Sequence, residues 1–116
     1  MAIERITIKE ALRRTGIYTA YFEIESEIEA PYIVWRGRGQ NNFIADDTFY
    51  FKIGNTYEVD YYYLEKSEEV EDVIEQALLD AGFLYTKGED LRDSDTKEFL
   101  IIYDVWPGND RRDEEE

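Results

Sequence analysis

The sequence predicts a single layered α+β domain, a mainly antiparallel sheet of four to five strands with two helices packed on one face. Apolar residues recur at helical spacing near the N-terminus and again between 67 and 82, and segments of two-residue alternation follow each helix. The 116 residues, 43% of them apolar, suffice for one compact core and are too few for two ordinary domains. The order of helix, strands, helix, strands therefore favours helices layered on a sheet.

The first element is a short helix in "ITIKEALRRTG" (6–16). Thr7 is placed to cap it and Glu10 follows three residues later, which is the spacing of a capping box. Gly16 suits the C-terminal end of the helix. Its predicted apolar face consists of Ile8, Ala11 and Leu12.

Two strands or extended segments are predicted next. The segment 17–25 alternates in polarity and fits a strand or an extended lead-in. Pro31 opens "PYIVWRG" (31–37), since proline is tolerated at the first position of a strand. The following "GRGQNN" (37–42) is predicted to be a flexible hairpin connection, because glycine and asparagine tolerate positive φ.

The aromatic segment 48–66 is predicted to form two strands that meet at Gly54-Asn55, a tight-turn dipeptide. In the first strand Phe49, Phe51 and Ile53 share one face, and Tyr50 and Lys52 share the other; in the second, Tyr57, Val59, Tyr61 and Tyr63 alternate with more polar residues. If the strands pair in this way, Tyr62 lies beside Tyr50 and forms an aromatic patch suited to a subunit contact.

The clearest helix is 67–82, capped by Ser67 and ended by Gly82. Its predicted buried stripe is Val70, Val73, Ile74, Ala77, Leu78 and Ala81. The opposite face, predicted to be wet, carries Glu71, Asp72, Glu75 and Asp80.

Two more strands are predicted, near 83–87 and at 97–106, with a polar turn between them. Both faces of the later strand are apolar, which is typical of a central strand or of one buried against another subunit. The domain is predicted to span 1–106, and 107–116 to form an acidic disordered tail.

The amino-acid composition limits the catalytic and metal-binding sites that the chain can form. The chain has no cysteine and no histidine, which excludes disulfides and thiolate chemistry and removes the commonest general base and metal ligand. The acids of 89–98 do not have the spacing of a calcium loop. We therefore expect no enzyme activity, no metal and no cofactor. Since no run approaches the ~20 apolar residues of a membrane helix, we also expect a soluble, cytoplasmic protein without membrane contact.

The net charge of −15, from 13 basic and 28 acidic residues, disfavours conventional nucleic-acid binding because the chain repels phosphate. Such a negative charge is compatible with a merely soluble surface, with binding to a basic partner, with mimicry of DNA, or with the lining of a channel through which DNA passes. The glycines of "GRGQNN" lack the remainder of a phosphate-binding motif and lead toward a strand.

A partner surface is the more specific hypothesis for this region, because tryptophan and arginine are favoured interface anchors. The candidate interface residues are Trp35, Arg36, Arg38, Asn41, Asn42, Phe43, Tyr50 and Tyr62.

The order of several features resembles a known family. Pro31-Tyr32 opens a strand, Asn41-Asn42-Phe43 and Ala45-Asp46 follow, and an aromatic strand, a tyrosine-rich strand and an acidic helix come next. The start, "TIKEALRRTGI" followed by "AYFEIE", fits as well. Over about residues 5–105 the chain resembles the tail terminator (tail completion) proteins of long-tailed phages and prophages of Gram-positive bacteria.

The resemblance implies a structural protein with a layered α+β fold. Such proteins form hexameric rings on the last ring of tail-tube protein, end tube polymerisation and present the surface that joins the head. The implied partners are other copies of the chain, the tail-tube protein and a head-completion or connector protein. The protein would be made in the host cytoplasm and end at the tail–neck junction of the virion.

A ring would place acidic residues around a channel through which DNA passes without specific binding. The candidate acidic face is Glu71, Asp72, Glu75 and Asp80, with outward solvation as the alternative. Two other functions remain open: an acidic DNA mimic that inhibits a nucleic-acid enzyme, and a neighbouring neck or head-closure connector.

Overall fold

A computed structural model describes residues 7–24, 28–46 and 49–108. The elements in chain order are α1 (Ile8–Arg13), β1 (Tyr18–Tyr21), β2 (Tyr32–Asp46), β3 (Phe49–Tyr63), α2 (Glu68–Asp80), β4 (Phe83–Lys87), β5 (Leu91–Arg92) and β6 (Phe99–Pro107). They form one α+β domain, as predicted from the sequence.

The sheet has six strands in the order β1-β2-β3-β6-β4, and β5 pairs with the same edge of β6 as β4. All pairs are antiparallel except β1 with β2, which are parallel. The sheet is therefore mainly antiparallel but larger than the four to five strands expected. The two-residue β5 was missed because it lies in a stretch that reads as a polar turn.

α1 has the predicted cap. The Thr7 hydroxyl accepts a hydrogen bond from the backbone N–H of Glu10 at 3.2 Å. Gly16, with φ of +79°, lies just beyond the helix, a conformation that glycine adopts without a Cβ penalty. Ile8, Ala11 and Leu12 are buried.

α2 also begins and ends as predicted, with the Ser67 hydroxyl accepting from the N–H of Val70 at 3.3 Å. Its buried face is rotated from the predicted stripe. Ile74 is fully buried, but Val73 is 48% exposed and Glu71, predicted to be wet, is only 1% exposed. The reason is that lysines before and after the helix pair with Glu71, so this carboxylate faces inward.

β2 and β3 form one long hairpin. Cα pairing runs from Tyr32↔Tyr62 to Asp46↔Phe49, with register shifts near Gly37, Asn41 and Ile44. The predicted connection at 37–42 is wrong, because this segment is strand. The predicted turn at Gly54-Asn55 is also wrong, because both residues are paired across the ladder, with 41 and 40 respectively. Glycine and asparagine serve here in an irregular strand. The strands join through 47–48, outside the described residues.

The main core lies between the helices and one face of the sheet, here called the helix face. α1 and α2 contribute Leu12, Ile74 and Leu78, and the central strands contribute alternate residues, which confirms both helices on one face. The strand residues of this core are Ile33, Val59, Tyr61, Tyr63, Phe83, Ile101, Tyr103 and Val105.

On the opposite face a smaller cluster joins Ala30, Tyr32 and Val34 to Ile24, Ile28 and Tyr62. β6 runs one residue past the predicted domain end at 106. Most of the predicted tail, 109–116, lies outside the described residues.

Candidate functional surfaces

The β2–β3 hairpin extends past the rest of the sheet. Pairing of β1 with β2 ends at Trp35, and pairing of β6 with β3 ends at Tyr57. Within the described residues, 38–46 and 49–56 therefore pair with each other alone. We call this part the ribbon. It is about 25–30 Å long at the usual rise of a strand, and an isolated two-stranded ribbon is marginally stable in water. Among the described strands, none pairs with either of its outer edges.

The ribbon differs from the rest of the chain in composition. Together with the connecting residues 47–48, it carries two cations (Arg38 and Lys52) and two acids (Asp46 and Asp47), whereas the whole chain carries −15. Only these four of the 19 residues from 38 to 56 are charged, against 35% of the chain, and the segment contains the aromatic residues Phe43, Phe49, Tyr50 and Phe51. Depletion of charged residues and enrichment in aromatic residues are typical of the buried centre of a protein interface.

The first predicted interface patch, around Trp35, Arg36 and Arg38, is divided between the two faces of the sheet. Trp35 lies on the helix face, where its ring contacts Tyr21 at 4.7 Å and Tyr57 at 6.0 Å between centroids. Arg36 and Arg38 make their contacts on the opposite face. Neighbouring residues in a strand point to opposite faces, so the sequence cluster is divided between them.

The two arginines belong to a charged network on the face away from the helices. Arg36 lies 3.5 Å from Asp60, and Arg38 lies 3.3 Å from Glu58 and 2.8 Å from Asp104. Asp60 is 4% exposed. Burial, followed by a hydrogen bond with Glu58, raises the pKa of Asp60 to about 7, although both arginines oppose the shift. This carboxyl therefore titrates near neutral pH.

Tyr62 is on this same face but far from Tyr50, so the predicted Tyr50/Tyr62 patch is wrong. Tyr62 stacks on Tyr32 with centroids 4.8 Å apart, and the Tyr32 hydroxyl donates to Glu98 at 2.9 Å. Tyr50 is paired with Ile44 in the ribbon. The two tyrosines are about 40 Å apart along an extended strand, because β3 continues through 54–55 instead of turning there.

The remaining predicted interface residues are in the ribbon. Asn41 pairs with Gly54, Asn42 with Lys52, and Phe43 with Phe51. Their side chains, like that of Tyr50, lie outside the described part of the structure.

The predicted acidic face of α2 is also divided. Asp72 and Asp80 are exposed, but Glu71 and Glu75 turn toward the sheet. Glu71 lies 2.8 Å from both Lys66 and Lys87. The sequence contained a signal for this arrangement. Glu71 and Glu75 are four residues apart, and a lysine occurs just before the helix and another in the next strand.

Glu75 completes the link between α2 and the sheet. Lys87 lies 2.8 Å from it, and the hydroxyls of Tyr103 and Tyr85 donate to it at 2.8 and 3.1 Å. Burial would raise the pKa of Glu75, but these hydrogen bonds outweigh burial and lower it. Burial likewise opposes the charge of Lys87, yet its bonds to Glu71 and Glu75 raise the pKa of the lysine. These contacts stabilise the ionised forms of Glu75 and Lys87 and hold α2 against the sheet.

Sequence reasoning missed a groove beside α1. Its volume is about 400 Å³, and it is lined by Lys9 and Arg13 from the helix, Thr19 and Tyr21 from β1, and Trp35 from β2. Tyr21 is 60% exposed. We call this the α1 groove. Lys9 and Arg13, four residues apart on a helix, were the available signal.

Comparison of the chain with models of known families, with curated proteins and with solved structures found no match. Within 7–24, 28–46 and 49–108 there is no helix long and apolar enough to cross a membrane. The same residues contain no group of three or more acidic, histidine or cysteine side chains placed to hold a metal ion.

Proposed function

We propose that the protein is a tail terminator of a long-tailed phage, a structural subunit that forms a hexameric ring at the end of the tail tube. The ring ends polymerisation of the tube and provides the surface that joins the head. The ribbon carries this proposal. An aromatic pair of strands with few charged residues, whose outer edges pair with no described strand, is suited to association with a second chain, and a ring needs two different complementary surfaces on each subunit.

The charge of the chain supports the same function. Each chain has a net charge of −15, so a ring of such chains can line its channel with acidic residues. DNA would then pass through the channel without binding to it. On α2, Asp72 and Asp80 are exposed, whereas Glu71 and Glu75 face inward and cannot contribute to such a wall. The partners in this proposal are other copies of the chain, the tail-tube protein and a head-completion protein, met in the host cytoplasm and retained in the virion.

The direct test is electron microscopy of phage particles made without this protein. Overlong tails, together with filled heads that lack tails, are expected because the tube would lack its cap. Tails of normal length attached to heads would overturn the proposal.

A shortened ribbon tests the observation that carries the proposal. Residues 41–54 are replaced by Asn-Gly, which joins the paired residues Gln40 and Asn55 through a two-residue turn. The buried residues of the described core lie outside this segment, so the melting temperature is expected to change little. The variant is expected not to restore tail length, whereas a Glu89→Gln control at an exposed loop position restores it. If the shortened chain fully restored tail length, the ribbon would not be required for assembly.

A further inference from the structure

The cations of the α1 groove have no ion-pair partner in the described structure. Of the lysines and arginines whose side chains are described, Arg36, Arg38, Lys66 and Lys87 pair with acids within 4 Å. Lys9 and Arg13, like Arg14, Arg92 and Lys97, do not. They stand beside the exposed ring of Tyr21 and the edge of Trp35. The groove therefore combines free positive charge with aromatic surface.

An acidic surface with exposed aliphatic side chains lies on α2. Because Ile74 and Leu78 face the core, the opposite side of the helix faces solvent. This side displays acids, and between them Val73 and Leu79 are 48% and 44% exposed. We call it the α2 outer strip, and its residues are Glu69, Asp72, Val73, Gln76, Leu79 and Asp80.

The groove and the strip are different surfaces, carried by two helices that contact each other over the helix face. α1 contacts β1 at one end of the strand order, and α2 contacts β4 at the other. A contact between them in two copies is therefore head-to-tail, the type of interface that generates a ring when the rotation closes.

We propose that the α1 groove of one copy receives the α2 outer strip of the next copy. This deepens the ring proposal and rests on it. Lys9 and Arg13 meet Glu69 and Asp72, while the aromatic rings cover Val73, which would otherwise remain exposed. Charge complementarity sets the register between subunits, and the aromatic–aliphatic contact removes apolar surface from water.

Charge reversal tests the pairing. Phage lacking the gene are complemented with Lys9→Glu/Arg13→Glu, with Glu69→Lys/Asp72→Lys, or with all four changes together, and infectious titre and tail length are measured. Each double variant is expected to lower the titre at least about tenfold, since like charges then face each other. The fourfold variant is expected to recover most of the loss, because the pairs are restored with their signs exchanged.

The matched control is Arg14→Glu, which reverses a cation on the C-cap of α1 that does not line the groove. It is expected to complement like the wild type, and thermal melting confirms that every variant folds. Wild-type complementation by a folded groove double variant, or a fourfold variant no better than the doubles, would overturn the pairing and leave the ring proposal intact. If phage lacking the gene have normal tails and titre, the proposed function itself fails.

Discussion

Lys87, the last residue of β4, lies 2.8 Å from Glu71 of α2, a carboxylate that is 1% exposed. The ammonium group of Lys87 also lies 2.8 Å from Glu75, one helical turn later. One lysine thus connects two turns of α2 to the edge of the sheet. A buried carboxylate is tolerated only when opposite charges and hydrogen bonds replace its lost water, and Lys66 and Lys87 supply these to Glu71.

Glu71→Gln is expected to destabilise the fold by about 1.5 kcal/mol, because Lys66 and Lys87 lose charge-assisted hydrogen bonds to a buried carboxylate but each keeps a second acidic partner. The measurement is urea unfolding at pH 7. Asp72→Asn, one residue later on the exposed side of α2, is the control and is expected to change the free energy of unfolding by less than about 0.5 kcal/mol. Equal effects of the two substitutions would contradict the inward orientation of Glu71.

Tyr103→Phe is expected to cost about 1.5–3 kcal/mol, the usual range for a hydrogen bond to a charged group. The Tyr103 hydroxyl donates to Glu75 at 2.8 Å, and the tyrosine is completely buried. The variant is also expected to raise the pKa of Glu75, followed by NMR titration of its carboxyl carbon. Tyr85→Phe removes a longer bond of 3.1 Å from a more exposed residue, so its effect is expected to be smaller. The opposite ranking would show that Tyr103 is not the main donor.

Asp60 is expected to make the fold less stable as pH rises. Its pKa of about 7 lies above the ordinary value of 3.8, so between these values the folded chain holds a proton that the unfolded chain has released. The free energy of unfolding therefore falls with rising pH across this window and levels off above it. The contribution is on the order of 2–4 kcal/mol.

The measurement is urea unfolding from pH 4.5 to 8 for the wild type and for Asp60→Asn. In the variant, the free energy of unfolding is expected to lack this decrease with pH. Its stability relative to the wild type therefore increases as pH rises. Glu75, whose pKa is lowered, contributes the opposite slope, but only below its unfolded pKa. Parallel curves for the two proteins between pH 5 and 7 would show that Asp60 does not titrate there.

Gly82→Ala is expected to cost about 1 kcal/mol, because φ is +91° at this position just beyond α2 and a Cβ disfavours that conformation. A Cβ there would meet nothing within 4 Å, so the cost is conformational and not steric. Gly37→Ala is the matched control: its site is equally open, and its φ lies outside the positive range. It is expected to be neutral in thermal melts. A cost as large as that of Gly82→Ala would point to another constraint in β2.

Local chemistry was enough to predict the helices. Thr7 and Ser67 are caps that act within one turn, and Gly16 and Gly82 end helices through their own backbone freedom. The layered α+β class also followed, because it depends on the periods of the segments and their order. These signals require no information about distant residues.

The ribbon was not predicted, because turn-forming residues do not specify where a hairpin turns. Gly37 and Gly54-Asn55 read as turns, yet pairing continues through both regions. Register shifts at Gly37/Gly39 and Asn41/Asn42 accommodate these residues within the ladder. With the turn placed wrongly, Tyr50 and Tyr62 were brought together when they belong to opposite ends of β3.

By itself, then, the sequence determined the two helices, the α+β class and the high acidity of the chain, since composition, capping and periodicity are local properties. Tertiary structure decided which side of each element faces a partner. Whether Glu71 is buried, whether Trp35 and Arg36 share a face, and whether Lys9 and Arg13 border an aromatic groove all depend on contacts between segments far apart in the chain. A carboxylate, an indole or a guanidinium acquires its role from the charges and surfaces opposite it, and only the folded chain brings these together.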